Sequence, residues 1–148
     1  VGGRAGRDGT PGEVLIQTRH PDHPLMQHLG RPYHTALPVL LNQRSQAGLP
    51  PHGALGVIRC DSQDRQEGLG FLSQIRTGVT APRGAQIIGP LSAAMARRKN
   101  RYRLQLVISA ESRSMLAKVM ADLITTAEAA RQSHRLSWSV DIDPYESL

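Results

Sequence analysis

Five cations fall within seven residues at Arg97, Arg98, Lys99, Arg101 and Arg103, with Tyr102 among them. Guanidinium groups stay charged at every physiological pH and present several N–H donors in a fixed fork. A run of them repels itself unless an anion sits nearby. A solvated hairpin tip is the plain reading of such a run. Its surroundings argue for more, because no acidic residue occurs between Glu67 and Glu111, while Arg76 and Arg83 add to the same field. Phosphates, an acidic peptide or an anionic membrane surface fit a field of one sign. The membrane fits least, since no amphipathic basic helix accompanies the run. Phosphate contacts would hold a nucleic-acid backbone without reading its sequence. Tyr102 could stack on a base. Its alternation with Leu104, Leu106 and Ile108 points instead to the core.

A second group stands at Gly3-Arg4-Ala5-Gly6-Arg7. Glycines let a backbone approach an anion closely, and two arginines spaced by three can reach one phosphate. The spacing alone fits a basic, Gly-rich terminus equally well. Arg113 and Lys118 lie near the start of an expected helix, where an exposed polar face is the simpler account. His20 and His23 flank Asp22 in a Pro-rich stretch, and His28 and His34 have no helical ligand spacing, so no metal site is expected. Asp141 and Asp143 read as the solvated face of a strand. Cys60 is the single cysteine, which excludes a disulfide framework and a cysteine-built zinc site within this chain.

The 148 residues carry a formal charge of +6, enough chain for one domain of about 100 residues and an extension. No apolar run reaches the roughly 20 residues of a membrane span. The sequence opens on Val1 without a signal-peptide pattern, which suggests a piece cut from something longer.

Several elements must position these side chains. Val14 to Thr18 reads as a short strand, ended by His20-Pro21, its pairing partners expected outside the chain. Residues 19–52 hold six prolines and read as a connector, with a short helix from Ala36 or Leu37 to about Gln46. From residue 53 the pattern becomes regular. Strands are expected over Ala54–Cys60, Ala85–Gly89 (ended by Pro90), Arg101–Ser109 and Leu136–Asp143. Helices are expected over Gln63–Thr77, weakened by Gly68 and Gly70, and over Glu111–Gln132, capped by Ser109. Residues 91–100 read as a loop. The order strand, helix, strand, strand, helix, strand predicts an α+β domain, a ferredoxin-like βαββαβ sandwich with both helices on one face.

The opening motif, Val1-Gly2-Gly3-Arg4-Ala5-Gly6-Arg7, resembles the last motif of superfamily-two helicases. Beyond that motif, nearly the whole chain resembles the replication-restart (primosomal) branch of the superfamily, in the right order. The matching stretches are Gly12 to Thr18, His20-Pro21-Asp22-His23-Pro24, Leu49-Pro50-Pro51, Gly89-Pro90-Leu91, Arg101-Tyr102-Arg103 with Gln105, and Trp138 to Pro144. Gly2 replaces a usual alanine, and Asn42-Gln43 stand where an acidic residue is usual before Arg44.

The resemblance implies a 3′–5′ DNA helicase acting at stalled forks in the bacterial cytoplasm, close to the nucleoid. Arg4 and Arg7 would face the γ-phosphate of ATP, with Arg7 as the arginine finger, and Gly3 and Gly6 would let the backbone approach it. Residues 1–18 would end the second RecA-like lobe, 19–52 would connect, and 53–148 would form the C-terminal DNA- and partner-binding domain, similar to a small-subunit ribosomal protein. ATP and Mg would bind through lobes beyond this chain, and the family's zinc ligands would also lie outside it. This chain holds no P-loop, so it is not a complete enzyme. Expected partners are forked or single-stranded DNA, other primosome proteins and the acidic tail of single-stranded-DNA-binding protein, for which Arg113 could offer a carboxylate contact. A free-standing RNA-binding domain of ribosomal-protein type remains the alternative reading, and a regulatory small-molecule-binding domain a third.

Overall fold

Leu104, Leu106 and Ile108 alternate along one strand and are all buried, and the rest of the domain is arranged around that row. In the computed structural model, which describes residues 14–130 and 134–144, the elements are α1 (Leu37–Gln46), β1 (Ala54–Ser62), α2 (Arg65–Gly78), β2 (Ala85–Arg98), β3 (Arg101–Ala110), α3 (Arg113–Ala129) and β4 (Leu136–Ile142). The chain divides into two compact units, one up to Leu40 and one from Leu41.

In the first unit the described residues form two short 3₁₀ turns, Pro24–His28 and Tyr33–Thr35. Residues 14–18 form no strand ladder with the described residues, the pairing partners expected for them lying outside this chain. Val14, Leu15 and Ile16 are exposed, and five extended residues without a ladder partner have no hydrogen bonds to hold them.

In the second unit the four strands form one antiparallel sheet in the order β2-β3-β1-β4. The large core joins one sheet face to both long helices. Ile58, Cys60, Leu104, Leu106 and Ile108 meet Phe71, Leu72 and Ile75 of α2 and Leu116, Val119, Met120 and Leu123 of α3. Gly68 permits the close approach of α2 to the sheet, since a Cβ there would lie 2.8 Å from Leu104 Cδ1 and 3.3 Å from Ser62 Cβ. Asp64 caps α2 by accepting from the Gln66 amide. Ser112, not Ser109, caps α3 by accepting from the Met115 amide, because β3 runs on to Ala110 and uses Ser109 in its ladder.

The other sheet face carries no helix and is partly covered at its centre. Leu55, Val57 and Val107 are buried there, with Leu49 packed against them, and so is Gln105. Strict alternation in β3 therefore understates how much of that face is covered.

β2 departs furthest from expectation. It does not stop at Pro90 but continues to Arg98. Its ladder with β3 shifts register between Ile88 and Leu91 and again between Ser92 and Arg97. Being an edge strand, it tolerates a proline. Gly89, at φ +121°, makes the first bulge possible, since a Cβ there would meet the Gln105 carbonyl oxygen at 2.8 Å. What reads as a loop over residues 91–100 is thus mostly strand.

Candidate nucleic-acid interface

The five clustered cations sit at the tip of the β2–β3 hairpin. Lys99 and Asn100 form its turn, both with positive φ, 47° and 60°, as a two-residue turn between twisted strands requires. Arg97 pairs with Tyr102 in the ladder, and Arg98 with Arg101. Cross-strand partners share a face, and adjacent residues take opposite faces. The run is therefore split. Arg98, Arg101 and Arg103 belong to the open face, while Arg97 and Tyr102 belong to the helix-covered side, beyond the packed core.

Two further strands, with no sequence signal tying them to this run, complete the open face. Arg59 of β1 is ion-paired with Asp141 of β4. Arg103 lies 3.6 Å from the Asp61 carboxylate. Arg101 donates to the Asp61 carbonyl at 3.3 Å and to Ser137 Oγ at 3.1 Å, reaching across β1 to β4. The stretch without acids in sequence is thus met in space by the Asp61 carboxylate, while Asp141 is held by Arg59. Among these described residues, four guanidinium groups against two carboxylates leave this face positive. Only the strand order brings Asp61 to Arg103 and Asp141 to Arg59.

On the other side, the Arg97 guanidinium carbon stands 5.2 Å from the centre of the Tyr102 ring, within cation–π range. Arg97 also donates to Asn100 Oδ1 at 2.5 Å. Tyr102 is half-buried and is not a member of the core, which corrects the expectation drawn from its alternation. Along β3 the row of core side chains ends at Leu104, although Ser62, opposite Tyr102, is still buried. Trp138 is partly buried and packs on the core's rim, its ring 6.5 Å from that of Phe71.

Arg113 is 85 % exposed and donates to Asp143 Oδ2 at 2.7 Å. Asp141 and Asp143, expected to be merely solvated, are each paired with an arginine. Gly3, Arg4, Gly6 and Arg7 lie outside the described residues. Among the described residues no three His, Cys, Asp or Glu side chains gather as metal ligands, and no helix is long and apolar enough to cross a membrane.

Comparison with known proteins decides the relationship. Residues 45–145 match the model of the primosomal protein N C-terminal domain. The chain belongs to that family. The primosomal protein N C-terminal domain match takes in every strand of the sheet and both helices packed on it. Relatives extend the similarity over almost the whole chain. The replication restart protein PriA of Haemophilus influenzae is 32 % identical, covering 99 % of this chain and 20 % of its own length. That of Synechocystis is 33 % identical over 97 % of this chain and 17 % of its own length. That of Bacillus subtilis is 28 % identical over 98 % of this chain and 18 % of its own length. The chain thus spans about a fifth of the length of these curated relatives.

Proposed function

We propose that this chain is the DNA- and partner-binding end of a replication-restart helicase and holds branched or single-stranded DNA at stalled forks. One observation carries the reading. Arg98, Arg101 and Arg103 share the open face of a projecting hairpin, joined there by Arg59 of β1. A cluster of guanidinium groups in excess over its carboxylates, half-buried at Arg59, Arg101 and Arg103 and exposed at Arg98, suits the phosphate backbone. Binding of this kind reads shape and charge, as recognition of a fork without regard to sequence requires.

The element order and the strand order β2-β3-β1-β4 support a ferredoxin-like sandwich similar to a small-subunit ribosomal protein. In the parent helicase, ATP and Mg would bind between lobes outside this chain, with Arg4 and Arg7 reaching the γ-phosphate, and zinc would be held by cysteines elsewhere. The acidic tail of single-stranded-DNA-binding protein would approach Arg113, in competition with Asp143. Other primosome proteins would assemble on the same module in the bacterial cytoplasm. The test is competition binding with forked DNA, unbranched duplex and an RNA hairpin. Forked DNA is expected to win. Equal or tighter binding of the RNA hairpin would overturn this reading in favour of a ribosomal-type RNA-binding domain.

A further inference from the structure

We infer that the two faces of the β2–β3 hairpin hold different parts of a branched DNA. The open face takes the phosphates of a duplex arm, and Arg97, seated over Tyr102, supplies a stacking platform for an unpaired base beside the junction. The inference rests on the proposed DNA binding and deepens it.

The ladder register is the first ground. Because Arg97 is opposite Tyr102 and Arg98 opposite Arg101, neighbouring arginines are directed to opposite sides of one thin ribbon. A single duplex lying on the open face can be reached by Arg98, Arg101 and Arg103 but not by Arg97.

The second ground is how Arg97 is held. An exposed arginine ordinarily samples many rotamers and loses that freedom on binding. Arg97 already has a contact on two sides, the Tyr102 ring at 5.2 Å and Asn100 Oδ1. Asn100 can do this because it sits in the left-handed turn, a conformation asparagine adopts more readily than most side chains. A planar guanidinium anchored on an aromatic ring offers its outer surface to another flat group. Nucleobases stack on arginine planes of this kind when they are not paired.

The chemistry on the two sides then differs in kind. The open face supplies point charges in a row and can hold any backbone. The Arg97 side supplies one charge and a stacked surface, which a base inside a duplex cannot use because its own neighbours cover it. A junction offers both at once.

The test uses the full chain, an unbranched duplex, and a fork bearing 2-aminopurine at the first unpaired base. Arg97→Lys keeps the charge and removes the planar group. It should leave duplex affinity and its salt dependence unchanged while reducing the change in 2-aminopurine fluorescence on saturation at least fivefold. Arg98→Ala with Arg103→Ala should lower duplex affinity tenfold or more and leave the fluorescence change at saturation intact. A wild-type fluorescence change with Arg97→Lys, or a parallel loss of both readouts in both variants, would overturn the two-face assignment while leaving DNA binding standing. Absence of wild-type binding to either DNA would overturn both.

Discussion

Arg98 and Arg101 stand directly opposite each other across the β2–β3 ladder, on the open face of the sheet. Like charges at directly opposed positions destabilise a sheet, in the range of about 0.2–1 kcal/mol before solvent screening. Nothing in the fold requires arginine at position 98, because the strand ends there at an exposed tip. Arg98→Thr is therefore expected to raise stability by a few tenths of a kcal/mol, read as a higher urea midpoint. The same substitution should weaken DNA binding to a similar degree across unrelated sequences. A lower midpoint would show that Arg98 stabilises the hairpin rather than serving an external anion.

Gly68 and Gly70 lie two residues apart in α2 and should respond oppositely to alanine. Gly70 has open space around a new Cβ, so Gly70→Ala is expected to stabilise by about 0.5–1 kcal/mol through helix propensity. Gly68→Ala gains the same propensity but drives a methyl to 2.8 Å from Leu104 Cδ1, a side chain only 2 % exposed. Overpacking of about 1–3 kcal/mol outweighs the gain, leaving a net loss of about 1 kcal/mol. Thermal melts of the two variants check both signs.

Much of this fold is legible in the sequence, and the misses share a cause. Period-two alternation marks β3 and β4, and the helical stripe Leu116, Val119, Met120 and Leu123 marks α3. Those patterns survive because each element buries one face against one core. The full length of β2 is hidden because Pro90 and Gly89 normally end strands, and bulges in an edge strand leave no periodic trace. The short strand expected at residues 14–18 has no pairing partner among the described residues. At the candidate site the arginine run is visible, but its division between two faces depends on register, and Asp61 comes to it only through the pairing of β1 with β3. Tyr102 obeys the alternation of the core strand yet is only half-buried and stands outside the core cluster.

Cys60 should show its burial through pH. Desolvation first, then the charges of Asp61 and Glu67, push its thiol up from 9.0 to about 12. The unfolded chain ionises this group near 9.0 and the folded chain does not. Stability from the neutral thiol is thus fully present below about pH 9 and is lost as pH rises from there towards 12. Denaturant melts of wild type and Cys60→Ala should run parallel between pH 7 and 8 and converge in the alkaline range, the wild type losing more. Parallel curves throughout would contradict the burial argument. Native Cys60 should also react slowly with iodoacetamide and quickly in urea.

The most direct measurement is the salt dependence of binding to forked DNA, for the wild-type chain and for Arg98→Ala/Arg101→Ala/Arg103→Ala. Each phosphate contact contributes about one unit to the slope of log K against log salt. The wild type should therefore show a steep slope and the triple variant one shallower by about three units, with far-ultraviolet circular dichroism unchanged. An identical slope for the two proteins, or no salt-sensitive association by the wild type, would contradict a phosphate-binding role for this hairpin face.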